Sequence, residues 1–189
     1  MGGVQTTSAF ASTDEYAAQA AVLINNIRSK LDTCDASGML GASASNSNTA
    51  SNTATLTQVS TSKRSDPSKR PALIWNPQLA QAAMSHSKAM AKELFFDHND
   101  MQGRAVNHRV VDQGYRFRVV GENIAAGQAS LEEAIRDWLL SAGHCVNMID
   151  ERFTEFGIAK AASTRQDDPY GVYWTLVLGQ PRDGQVARR

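Results

Sequence analysis

Two runs of β-branched, aromatic and small apolar residues, late in the chain, constrain its fold class most. Phe156-Gly157-Ile158-Ala159-Lys160-Ala161 and Val172-Tyr173-Trp174-Thr175-Leu176-Val177-Leu178 both read as strands. The polar stretch Arg165-Gln166-Asp167-Asp168-Pro169 lies between them, so the spacing predicts an antiparallel hairpin. Upstream, the strong patterns are helical. Ser12 and Glu15 have capping-box spacing, and Tyr16, Ala20, Leu23, Ile24, Ile27 and Leu31 follow at helical intervals to near Cys34. Asn76-Pro77 supplies an N-cap and a first-turn proline for a second helix, with Leu79, Ala82, Ala83, His86, Met90 and Leu94 on one broad face. Ser130 and Glu133 open a third, with Leu131, Ala134, Ile135, Trp138 and Leu139 inward and Gly143 as its stop. Phe117 to Val120 can add a strand. Three helices around a small antiparallel sheet predict an α+β layered domain.

The length of 189 residues suits one such domain. We place it at residues 12–181, after a frayed leader at 1–11 and before a tail at 182–189. From about 36 to 68 the sequence turns Ser/Thr/Asn-rich, and residues 42–55 carry no charge and no aromatic. Such a run buries too little apolar area to offset its ordering entropy, so it reads as a flexible, dispensable insertion. Lysine plus arginine and aspartate plus glutamate both number 19. That balance argues against nucleic-acid partners and anionic membrane surfaces, which select basic proteins. No apolar run has the length of a transmembrane segment. A local excess at Arg104, Arg109, Arg116 and Arg118, with Asp112 the acid among them, reads as a solvated or salt-bridged set. Met1-Gly2 with Thr6 fits the N-myristoylation pattern, but a start placed ahead of a processed mature chain is the simpler reading.

Chemistry concentrates between Gly121 and Cys145. Glu122 sits in the Gly-flanked run Gly121-Glu122-Asn123-Ile124-Ala125-Ala126-Gly127, expected as a loop, and His144 follows a helix stop. His98 lies just beyond the second helix in Phe95-Phe96-Asp97-His98. Two imidazoles and a carboxylate at element ends are the raw material of a divalent-metal site or of acid–base chemistry. His86, inside a helix, reads as a partly buried structural histidine. Asn123 reads as a tie for loop backbone. The two cysteines, Cys34 and Cys145, fit a single disulfide, a pair of buried thiols, or a Cys145 nucleophile beside His144. The last is geometrically poor, because adjacent residues point in different directions.

The ordered set Leu73-Ile74-Trp75-Asn76, Leu79-Ala80, Phe96-Asp97-His98, Gly121-Glu122-Asn123, Trp138, Gly143-His144, Phe153-Thr154-Glu155-Phe156-Gly157 and Tyr173-Trp174 resembles the CAP superfamily. That superfamily joins cysteine-rich secretory proteins, antigen 5 and pathogenesis-related 1 proteins. The chain is similar to its bacterial secreted branch, where a cysteine after the first helix accompanies a His-Cys pair. The resemblance implies a three-layer α–β–α sandwich, a Cys34–Cys145 disulfide, and a secreted or periplasmic protein. It also implies a cleft in which His98, Glu122 and His144 match three of four family residues. The fourth, a glutamate, falls at Ser141. Zinc or another divalent ion is the implied cofactor, held by three ligands and an open position. The resulting expectation is an extracellular binding module for a lipid, a cell-wall fragment or a host protein, rather than an enzyme. A divalent-metal-dependent hydrolase using Glu122 in the same cleft is the alternative.

Overall fold

In the computed structural model, residues 13–34 and 70–183 are described. The expected leader, insertion and all but the first residues of the tail lie outside them. Among the described residues nine elements follow in order: α1 (Thr13–Lys30), β1 (Ile74–Trp75), α2 (Pro77–Glu93), α3 (Val106–Asp112), β2 (Phe117–Ala126), α4 (Leu131–Leu140), α5 (Ala142–Ile149), β3 (Glu155–Ala162) and β4 (Val172–Pro181). The strands form one sheet in the order β1-β3-β4-β2. The expected hairpin is present, with β3 antiparallel to β4 and Ile158 opposite Leu176. β2 lies antiparallel on the other side of β4, with Glu122 opposite Val177. β1 adds a short parallel pair to β3, which the expectation of an antiparallel sheet did not include.

Alternation along the strands sorts their side chains into two faces. Phe156, Ile158, Trp174, Leu176 and Leu178 pack with α1, α4 and α5 through Ala20, Ile24, Leu131, Ile135, Trp138 and Met148. Ala159 and Val177 point the other way, onto Leu79, Ala82 and Ala83 of α2 and Val110 of α3. The sheet is therefore the middle of three layers, as the resemblance implied. The contact with α2 is unusually close at Gly157, where an added Cβ would stand 2.1 Å from the backbone nitrogen of Ala80.

Local signals explain where the helices begin. Asn76 caps α2, its side-chain oxygen accepting from the amides of Gln78 and Leu79. Ser130 accepts from the Glu133 amide at 3.2 Å, and Glu133 accepts in turn from the Ala129 amide at 2.9 Å. Gly143 does not stop the third predicted helix. That helix ends at Leu140, because Ser141 adopts an extended backbone (φ −98°, ψ 117°), and α5 starts at once. Gly143 and His144 therefore belong to the opening turn of a second short helix.

The N-terminal helix is fastened to the rest by polar contacts. Arg28, 2% exposed, donates to the carbonyls of Met148, Asp150, Phe153 and Pro71. The first two belong to the end of α5, where unpaired carbonyls favour a cation. Burial pushes the Arg28 guanidinium down to about 10. Cys34 is joined to Cys145 across 111 residues, at a Cα separation of 5.7 Å that suits a disulfide.

Candidate functional site

Glu122 lies within β2, not in a loop, and that placement defines the site. Glu122 to Ala125 are buried in succession, which happens only where both faces of a strand are covered. Glu122 and Ile124 share the face toward α2, where Ile124 meets Met90 and Ala91. Asn123 and Ala125 share the opposite face, where Ala125 joins the cluster formed with α4 and α5. Among the described residues β2 is an edge strand, so groups from both helical layers can meet around its margin.

The carboxylate of Glu122 is 3% exposed and fully engaged. Its Oε1 accepts from Nδ1 of His98 at 3.0 Å. Its Oε2 accepts from Nη2 of Arg109 at 2.7 Å. The same Arg109 fork donates to the carbonyls of His98 at 2.9 Å and Arg104 at 2.7 Å. His86 lies against the same oxygen as His98, with Nε2 3.9 Å from Oε1, and donates from Nε2 to the Asp97 carbonyl at 2.9 Å. On the other side of the strand, Asn123 donates to the His144 carbonyl at 3.0 Å and accepts from Asn147 at 2.9 Å. The rings of His98 and His144 then approach to 6.3 Å between centroids.

Each imidazole has its own electrostatic setting. The hydrogen bond that His98 donates to Glu122 raises its pKa above the ordinary histidine value, against a smaller opposing effect of burial. Burial lowers His86, although the Glu122 charge works against it. Burial lowers His144 as well, helped by the proximity of His98. Because Nδ1 of His98 is held on the carboxylate, the ring directs Nε2 outward, and the side chain is 52% exposed.

The structure brings together all three residues expected in the cleft, with His98 directly on Glu122 and His144 alongside His98. Asn123 ties down backbone as expected, although the backbone is that of α5. Ser141 sits at the α4–α5 junction, where its side chain caps neither helix. Three contributors were missed. His86, expected to be partly buried and structural, is fully buried and reaches toward Glu122; Asn147 anchors Asn123; and Arg109, expected in a solvated or salt-bridged set, is 5% exposed and paired with Glu122. No local signal singled out Arg109 among its neighbouring arginines, because Glu122 read as a loop residue.

The arrangement does not form the expected three-ligand divalent site. Both oxygens of Glu122 have donors, and one of these is a permanent guanidinium charge. Among the described residues no three His, Cys, Asp or Glu side chains are grouped so as to hold a metal.

A family model described as cysteine-rich secretory protein family, CAP, matches residues 22–178. The chain belongs to this family. An uncharacterized protein of Bacillus subtilis (strain 168), YkwD, is 30% identical to the CAP chain over 97 residues, which are 51% of this chain and 35% of the relative. An uncharacterized membrane protein of the same strain, YlbC, is 28% identical over 86 residues, 46% of this chain and 25% of its own length. The CAP chain thus spans about a third or less of the length of the curated relatives it matches. Among solved structures, an extracellular protein of Bacillus anthracis str. Ames containing an SCP domain is 29% identical, with a TM-score of 0.51. The match covers 60% of this chain and 35% of that one. An outer surface protein of Borrelia burgdorferi shares the CAP fold at 18% identity and a TM-score of 0.52, covering 58% of this chain and 78% of its own. Among the described residues no helix is long and apolar enough to cross a membrane.

Proposed function

We propose that this CAP domain is an extracellular binding module whose ligand face is formed by the imidazoles of His98 and His144, and that its ligand is a cell-wall glycan fragment. The observation that carries this reading is the full engagement of Glu122. Its oxygens serve His98 and Arg109, so the acid positions the site and the imidazole edges are left to meet a ligand. Phe96, two residues before His98, is 44% exposed, and it meets Tyr170, 46% exposed, at 5.8 Å between centroids. Apolar ring faces beside hydrogen-bonding imidazoles suit a sugar, which offers C–H faces and hydroxyl groups together. The Cys34–Cys145 disulfide supports an oxidising, exported setting, and the extracellular Bacillus anthracis neighbour agrees with it.

The test is a titration of soluble peptidoglycan fragments into the full chain, following the imidazole proton resonances of His98 and His144. Saturable shifts of both are expected, weakened in Tyr170→Ala, and the His98 shift should be weakened in His144→Ala. A response to phosphatidylglycerol vesicles alone would replace the glycan by a lipid. Silence toward both probes would refute the assignment of this face to ligand binding.

A further inference from the structure

We propose that the Arg109 guanidinium does the organising work of a divalent cation in this cleft, making the cleft independent of metal by construction. The proposal goes beyond the ligand reading, because it concerns how the site is held together whatever it binds. A hard divalent ion in such a place would gather oxygen atoms, a carboxylate and backbone carbonyls above all. The Arg109 fork gathers that set. Nη2 reaches Oε2 of Glu122 at 2.7 Å and the His98 carbonyl at 2.9 Å, and Nη1 reaches the Arg104 carbonyl at 2.7 Å. One side chain thereby clamps the strand that carries the acid to both ends of the 98–104 loop. The loop end it holds is the one that presents His98.

Burial makes the charge decisive. The side chains of Arg109 and Glu122 are 6% and 3% exposed, so neither ion is shared with solvent. A buried carboxylate without a counter-ion is strongly destabilising, and guanidinium is the cation that never deprotonates and matches a planar oxygen pair. Unlike a bound ion, it cannot be removed by a chelator or displaced by a competing metal. It also repels any second cation approaching the same oxygens, and Glu122 has no third oxygen to offer.

The consequence is a conditional metal site. Removing the guanidinium, in Arg109→Met, leaves Glu122 buried beside His98 and His144 with no fixed cation, and these are the donors zinc prefers. Zinc titrations by calorimetry and thermal melts, each with and without a chelator, should separate the two states. The wild-type melt should be the same in zinc and in chelator. Arg109→Met should melt about 6–20 °C lower in chelator. It should then recover in zinc and bind zinc at least tenfold more tightly than wild type. Arg109→Met combined with Glu122→Gln should recover part of the loss without zinc and show no zinc response, because the uncompensated charge has gone. The proposal is overturned if chelator lowers the wild-type melt, or if wild type binds one zinc as tightly as Arg109→Met. The wild-type arm decides the matter even where the single variant does not fold. Loss of glycan binding would bear on the ligand reading and leave this result untouched.

Discussion

Replacing Gly157 by alanine tests the layer contact that sets α2 against the sheet. The added methyl would lie 2.1 Å from the nitrogen of Ala80, 2.4 Å from the carbonyl carbon of Leu79 and 2.6 Å from the Ala80 Cα. Ordinary contact begins at 3.4 Å, so strand and helix would have to part by more than an ångström. All three atoms are backbone, in the first turn of α2, and no rotamer change can relieve them. Overpacking costs about 1–3 kcal/mol where side chains can adjust, so the cost here should sit at or above about 3 kcal/mol. For a domain of this size that is a fall in melting temperature of roughly 6–12 °C. Because α2 also carries His86, the same displacement should withdraw that ring from Glu122. Thermal unfolding by circular dichroism with the disulfide intact gives the stability change, and the His86 proton resonance gives the displacement. Gly143→Ala is the control: an added Cβ there meets nothing within 4 Å, and the helical position should gain about 0.5–1 kcal/mol. A Gly157→Ala protein melting within about 2 °C of wild type would refute the close packing of α2 on β3.

Two further outcomes follow from the same geometry. Stability set by the cleft histidines should peak near pH 6.5, the ordinary value for the ring. His86 and His144 are lowered, so their contribution is present above that value and lost as pH falls through their folded values, whereas His98 is raised, so its contribution is present below that value and lost as pH rises through its folded value. Denaturant titrations from pH 4 to 9 check this, and His98→Ala should remove the alkaline decline while lessening the acid one, because His98 helps to lower His144 and His86. Joint replacement of Cys34 and Cys145 by serine should cost about 2–5 kcal/mol, and thiol titration of the denatured, unreduced wild type should find almost no free thiol.

Local chemistry made much of this fold legible. Asn76-Pro77 and Ser130 with Glu133 announce helix starts because a cap is written in residues no more than three apart. The final strands are equally plain, since β-branched and aromatic residues run up to a polar turn. What escaped was set by contacts distant in sequence. Glu122 looked like a loop residue because Gly121 precedes it, yet pairing with Val177 draws it into β2. α3 has no side-chain cap at Ala105, so nothing local marks its start. The break at Ser141 comes from one extended residue, and the glycine that should have marked it lies two positions later, inside α5. Arg109 was hidden for a related reason. A run of arginines resembles a solvated surface until an acid on another element claims one of them. His98, Glu122 and His144 were recognisable as a group, whereas the residues that orient them were not.

The position of β4 in the sheet has a consequence for how the molecule comes into being. This strand lies between β3 and β2, and it is the last of the four to be synthesised. Until Val172–Pro181 has emerged, β2 has no strand to pair with and the inner face of α2 has only part of its cover. The long-range pairing of β2 with β4 must also await the intervening helices, so loop closure comes late and all at once. The sheet of a growing chain therefore stays open until β4 has emerged. The sheet that holds Glu122 between His98 and Arg109 is thus completed only when its central strand arrives.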